Sequence, residues 1–291
     1  MIGSTTNTSY AATGLTNGTT YFFGVSVVNS AGESGYTTNL VSVTTQAPHT
    51  YPVGTEPYGI AIDSSGNVWV TNQGSNKVTE LSSAGALIET YTVGSAPTGI
   101  AIDSSGNVWV TDQDSDSVIE LSSAGAVLGT FIVGTGPSGI ALDGSGNVWV
   151  TSQGSDTVTE LSSTGAVLGS FTASTGPTGI AIDGSGNIWV TNQGSGSVTE
   201  LSSDGALIKT YTVGTNPTGI AIDGSDNVWV VGSTSNNVTE FSSSGVLRGA
   251  YAVGSKPYGI AIDGSGNVWV ANWGDNTVTE FVGIASRVET P

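Results

Sequence analysis

A chain of 291 residues, 37% of them hydrophobic, is long enough for one large or two smaller β domains with a sizeable core. Its 5 Lys plus Arg stand against 23 Asp plus Glu, and a net charge of −18 repels nucleic-acid phosphates and anionic lipid headgroups, so neither is an expected partner. Without cysteine there is no disulfide, thiol nucleophile or thiolate metal site, and no apolar run is long enough to cross a bilayer. The acids are scattered singly, which suits a solvated acidic surface better than a site for a cationic ligand.

In chain order, the first residues, MIGSTTNTSY, lack both a basic n-region and an apolar h-region and are not a signal peptide. Either the protein is cytosolic or its true N-terminus lies upstream. The missing cysteine and the Ser/Thr/Asn/Gly-rich composition favour a bacterial protein outside the cell or on its surface. Within residues 1–47, Tyr21, Phe23, Val25 and Val27 alternate along one predicted strand, and Val41 and Val43 along another. The stretch TSYAATGLTNGTTYFFGVSVVNSAGES resembles the second half of a fibronectin type III domain, with Leu15, Gly18 and Tyr21 in its tyrosine-corner pattern. That resemblance implies the last three strands of a sandwich and hence the C-terminal part of a longer modular protein.

Residues 48–291 are organised by a repeat. Pro57, Pro97, Pro137, Pro177, Pro217 and Pro257 recur every 40 residues. Each opens a unit such as PTGIAIDGSGNIWVTNQGSGSVTELSSDGALIKTYTVGTN, with four alternating runs (GIAID, NIWVTN, SVTELS, ALIKTYTV) separated by DGSGN, QGSG and SSDG turns. Six units of four antiparallel strands predict an all-β, six-bladed β-propeller, with a linear β-solenoid as the alternative. The ends favour the propeller. The sixth unit departs into VGIASRVETP where a fourth strand is due, while HTYPVGTEP (49–57) aligns with ETYTVGSAP (89–97) in that slot. An N-terminal strand is therefore expected to close the ring.

The motifs PxGIAID, xGNVWVTN and NxVTEL resemble NHL- and YVTN-type propeller repeats over about residues 50–285. Such repeats occur in binding modules, lyases and lactonase-like enzymes. The repeat is also similar to that of streptogramin lyases, and this likeness implies an active-site histidine beside the P-x-G turn. The matching positions are Tyr58, Thr98, Ser138, Thr178, Thr218 and Tyr258, none of them histidine.

Three other columns recur. Trp69, Trp109, Trp149, Trp189, Trp229 and Trp269 are expected to pack between blades. Asp63, Asp103, Asp143, Asp183, Asp223 and Asp263 begin D-x-S-x-N turns that a carboxylate can close on backbone N–H groups. Glu80, Glu120, Glu160, Glu200, Glu240 and Glu280 are expected as a solvated peripheral ring. The lone histidine, His49, argues against a Ser–His–Asp triad or multi-histidine metal site, and there is no G-x-S-x-G, H-E-x-x-H or G-x-x-x-x-G-K motif.

The departures from the repeat define the candidate site. The loop entering each first strand and the loop joining strands two and three share one face. There Tyr58 and Tyr258 replace Thr or Ser, Trp273 replaces the usual Gln, and Lys256, Glu56, Lys77 and Asp275 lie in nearby loops. Ring closure makes blades one and six neighbours, so Tyr58, Tyr258, Trp273 and Lys256 are expected to form an aromatic patch for a carbohydrate or peptide. In TDQDSDS, Asp112, Asp114 and Asp116 alternate like the start of a calcium loop, but its Gly and final Glu are missing, so a solvated hairpin is expected and calcium is a weak candidate. The expectation is an extracellular, monomeric, non-catalytic binding module without cofactor. The alternative is a glycan-active enzyme or lyase with Glu56 and Asp275 as acid and base, and a third reading is a structural spacer.

Overall fold

The computed structural model describes residues 51–262, 266–275 and 277–285, together with strand backbone at 20–23, 28–29, 32–33 and 41–44. The chain divides into two compact units, Met1–Pro52 and Val53–Pro291. In the first, Thr20–Phe23 pairs antiparallel with Val41–Thr44, placing Tyr21 opposite Val43, and Val28–Asn29 pairs with Gly32–Glu33. Leu15, Gly18, Val25, Val27 and His49 lie outside the described residues.

The second unit is a six-bladed all-β propeller. Blade one runs Pro57–Ile62, Val68–Asn72, Lys77–Leu81, Leu87–Thr92, with each strand antiparallel to the next in chain order. Blades two to five repeat this at 40-residue intervals. Blade six has three strands among the described residues, Pro257–Ile262, Val268–Asn272 and Thr277–Phe281. The fourth strand expected there from 49–57 is not formed by the part described, because Tyr51–Gly54 lie in no strand. Pro52 gives a physical reason: it aligns with Thr92, which pairs with Lys77, and proline brings no N–H to a ladder.

Each D-x-S-x-N stretch is a closed turn. The Asp63 carboxylate accepts from Ser65 N at 2.8 Å and Asn67 N at 2.9 Å, and Gly66 supplies the left-handed residue at φ 82°. The same pair of bonds recurs at Asp103, Asp143, Asp183 and Asp223, while Asp263 lies outside the described residues. Burial works to raise the Asp63 pKa, but the donors from Asn67, Trp69 and Ser65 hold it below the usual carboxylate value.

The tryptophan column packs between blades at five junctions, but Trp269, at the seam where blade six meets blade one, is 38% exposed, against the expectation. Trp69, 1% exposed, stacks on Tyr91 of its own outer strand at 5.3 Å and packs with Ile100, Val108 and Val110 of blade two. Equivalent clusters join blades two to three, three to four, four to five and five to six. Replacing Trp109, which is fully buried, by alanine would cost about 3–5 kcal/mol. Thr71 Oγ1 adds a bond to Thr98 O of the next blade at 2.6 Å, and Thr111, Thr151 and Thr191 repeat it. Gly59 is required at this approach, since a Cβ there would stand 2.4 Å from Thr98 O.

The glutamate column corrects the sequence reading. Glu80, Glu120, Glu160, Glu200 and Glu240 are 5–9% exposed and lie inside the blade interfaces, whereas Glu280 alone is exposed. The expectation of a solvated ring treated one face of each sheet as wet, but both faces of a propeller blade are packed on neighbours. Glu80 is held by Asn67 Nδ2 at 3.2 Å and by the Tyr91 hydroxyl at 2.8 Å, and Asn67 and the Trp69 indole N–H also donate to Asp63. One network thus joins the first turn, the second and third strands and the outer strand. Tyr211 and Tyr251 repeat the bond to Glu200 and Glu240. Burial, then the neighbouring glutamate, raises the pKa of Tyr91, Tyr211 and Tyr251.

Blades two and three carry Phe131 and Phe171 at this position, and there burial and repulsion from Asp103 or Asp143 raise the Glu120 and Glu160 pKa despite the asparagine bond. A raised folded-state pKa means that ionisation of these groups opposes folding, and the penalty fades as pH falls and the folded state takes up its proton first. Phe131→Tyr should supply the missing donor. At neutral pH it should stabilise the protein by about 1 kcal/mol in denaturant unfolding, and the Glu120 pKa read by carboxyl NMR should fall.

Candidate ligand-binding face

The face under consideration is built from the loops entering each first strand and the hairpins between strands two and three. Within a blade the two are tied by backbone bonds: Gln73 N donates to Glu56 O at 2.9 Å in blade one, and Trp273 N to Lys256 O at 3.1 Å in blade six. Between blades they are tied by a side chain in the left-handed region. Asn76 (φ 58°) accepts from Ala96 N at 2.9 Å, Asp116 (φ 54°) from Gly136 N at 2.8 Å, Asp156 from Gly176 N and Asn236 from Lys256 N.

This explains most of TDQDSDS. Asp116 is a member of that column of clamps, and Asp112, 2% exposed, accepts from Ser95 N at 2.6 Å as Asn72 accepts from Gly54 N. Asp114 alone departs from the repeat, and it meets the Ser95 hydroxyl at 3.2 Å. Asp112 and Asp114 therefore serve the loop of their own blade, whereas Asp116 serves the next. The clamp column was readable in the sequence, from comparing Asn76, Asp116, Asp156 and Asn236 across units rather than reading one hairpin along its length.

The glutamine column faces neighbours around the ring: Gln73 Nε2 donates to Gln113 Oε1 at 2.9 Å, and Gln153 Nε2 to Gln193 Oε1 at 3.2 Å. Ser233 and Trp273 end that series. Trp273 is 72% exposed, and the Lys256 ammonium lies 5.2 Å from its ring centroid, a cation–π distance.

Tyr58 and Tyr258 meet across the seam between blades one and six. Their rings contact edge to face at 5.7 Å, their hydroxyls are hydrogen-bonded, and each is 42% exposed. At the same position Thr98, Ser138, Thr178 and Thr218 are buried. Burial, then Tyr58, raises the Tyr258 pKa. The Trp273 loop is joined to the segment bearing Tyr258, because Pro257 pairs with Asn272 and Lys256 O accepts from Trp273 N.

Below the tyrosines the seam differs from the other junctions. Ala271 stands where Thr71 bonds the next blade, Gly259 meets nothing within 4 Å, and Ile60 and Ile62 are each 67% exposed while Ile100 is 9% exposed. Among the described residues no apolar cluster joins blade six to blade one.

The proposed acid and base are held differently. The Asp275 carboxylate accepts from Ser255 N at 2.8 Å and from the Thr277 hydroxyl at 2.8 Å, and these bonds lower its pKa. The Glu56 carboxylate lies beside Gly74 of its own blade, where a Cβ would stand 2.9 Å from it.

The sequence profile of the virginiamycin B lyase family matches residues 45–289. The chain belongs to the virginiamycin B lyase family. No curated protein matches it. Among solved structures it is similar to a streptogramin B lyase, with 22% identity, TM-score 0.71, and 82% of this chain and 85% of that one covered. It is also similar to virginiamycin B lyase from Staphylococcus aureus, with 19% identity, TM-score 0.70 and coverage of 78% and 84%. A catalytically inactive histidine-to-alanine variant of the Staphylococcus aureus enzyme, solved with quinupristin, aligns at 17% identity and TM-score 0.71 over 91% and 89%. Likeness at these identities shows the propeller fold.

Asp116→Ala should remove one interblade clamp and cost about 1–2 kcal/mol in thermal or denaturant unfolding, since a charge-assisted bond to Gly136 N is lost. Asp114→Gly, which restores the repeat, should be near neutral. Sub-millimolar calcium should shift neither variant's melting temperature, because the three carboxylates serve two different blades' loops.

Proposed function

We propose that the seam face binds a neutral ligand, a carbohydrate or a peptide, and that the protein is an extracellular, non-catalytic module of a bacterial modular protein. The observation that carries this reading is the joining of Tyr58 and Tyr258 across the seam, with the exposed indole of Trp273, under the Lys256 ammonium, on a loop hydrogen-bonded to the segment that bears Tyr258. Aromatic faces with few polar groups suit apolar faces of sugar rings and peptide side chains, and Lys256 adds a donor at the edge. The stretch at 1–47 whose sequence resembles fibronectin type III fits a module carried among others.

Family membership favours a second reading, lyase-like chemistry at the same face. Against it stands the histidine: a histidine-to-alanine change accompanies inactivity in the Staphylococcus aureus lyase, and every P-x-G position here holds Tyr, Thr or Ser. In that reading Glu56 and Asp275 would have to serve as acid and base.

A glycan and peptide binding screen, paired with chromatographic assay of quinupristin turnover, separates the two. Trp273→Gln restores the repeat and should weaken ligand binding roughly tenfold while leaving the melting temperature unchanged, as loss of one stacking residue of about 1–2 kcal/mol would do. Glu56→Gln should leave binding intact. Turnover of quinupristin that Glu56→Gln abolishes would establish the lyase reading instead.

A further inference from the structure

A second site lies on the other end of the blades, away from the seam loops. The outer strand of blade one and the turn between strands three and four of blade two border an open surface groove of about 700 Å³. Ile88, Glu89 and Tyr91 form one wall, Ser123–Gly125 the other, and Glu80 reaches its floor. Gly125 (φ 74°) closes against the Tyr91 ring, where a Cβ would stand 1.8 Å from it.

Two carboxylates face each other here. Glu89 lies directly opposite Glu80 in the antiparallel register, a like-charge pair that disfavours the strand pairing by itself. Two other blades bring a cation of the chain's own to the same region, from adjacent columns. In blade four Lys209 stands opposite Glu200, with its ammonium 4.7 Å from the Tyr211 ring centroid. In blade five Arg248, in the column of Ile88, brings a guanidinium to 3.8 Å from Glu240. The repeat therefore shows the two contacts of such a site separately: an ammonium over the outer aromatic ring in blade four, and a guanidinium beside the buried carboxylate in blade five. Blade one offers the same carboxylate and ring, adds Glu89, and leaves Leu87 and Ile88 exposed to cover a stem.

We propose that the outer groove of blade one binds an organic cation, a primary alkylammonium or guanidinium group on an apolar stem. Glu80 and Glu89 balance the charge, the Tyr91 face takes the cation, and Ile88 packs on the stem. The site is independent of the seam reading, and neither requires the other.

The test is calorimetric and NMR titration of the full chain at low salt with n-butylguanidinium, with n-butylammonium and with a short lysine peptide. One equivalent of the small cations should bind, with shifts at Tyr91, and binding should weaken with salt. Glu89→Lys copies the Glu–Lys pairing of blade four, should fold at least as well, and should abolish binding. Lys209→Glu copies blade one and should raise the stoichiometry to two. Asp114→Lys makes the same charge change on the opposite face and should leave binding unaltered. If only the peptide binds, and Glu89→Lys abolishes that, the cation is one carried by a protein partner. No binding of any probe at millimolar concentration, or equal losses in Glu89→Lys and Asp114→Lys, would overturn the proposal.

Discussion

A buried carboxylate at five of the blade interfaces organises this propeller. An ionised glutamate out of water is costly unless its oxygens are bonded, and leaving it half satisfied costs more than an apolar core would. Glu80 meets that demand through Asn67 and Tyr91, and Asn67 and Trp69 are in turn fixed on Asp63. The turn, the tryptophan rotamer, the third strand and the outer aromatic ring therefore cannot be set separately. The stacking of tryptophan on the outer ring gives apolar burial, and the glutamate selects its geometry. Where the hydroxyl is absent, at Phe131 and Phe171, the ring still stacks but the carboxylate pKa rises.

A ring of near-identical units must also close, and closure concentrates the aromatic departures on the loop face at one junction. Five junctions repeat the cluster around a buried tryptophan, with a threonine-to-carbonyl bond at four of them. At the sixth, the chain supplies two tyrosines instead of two small hydroxyl residues, and an indole instead of a glutamine. Tyrosine spans a wider gap than threonine, so Tyr58 and Tyr258 can meet where the inner strands do not approach as closely as Gly59 approaches Thr98. The same substitution that bridges the seam leaves aromatic surface in solvent. Exposed aromatic surface at the seam follows from the geometry of closure itself.

The fold was legible because the 40-residue period, the alternation and the D-x-S-x-N turns agree with one another, residue by residue. The tryptophan column and the seam tyrosines were legible for related reasons: one never varies, the others vary only where the ring meets. The glutamates were misread because alternation along SVTELS tells which residues share a face, not whether that face meets water. Only the stacking of blades decides that, and it is a tertiary fact. Asp112, expected in a solvated hairpin, is buried on Ser95 N, the clamp made by Asp116 shows only in a vertical comparison across units, and Pro52 carried a signal against a regular closing strand at its own position.

Acid–base chemistry at the seam would need groups that exchange protons near neutral pH. Tyr258 is pushed upward from a value already near 10, by burial and then by the hydroxyl facing it. Asp275 is pushed downward from a value already near 4, by Ser255 N and the Thr277 hydroxyl. Both shifts lead away from neutrality, the first leaving a donor that holds its proton, the second an acceptor that gives up little by staying ionised. Catalytic sites arrange burial and charge to bring such values together. Here the bonds that hold its loop move Asp275 away from neutrality. Hydrogen-bonded loops presenting an exposed indole, a paired phenol and an ammonium are the geometry on which the proposed recognition of a ligand rests.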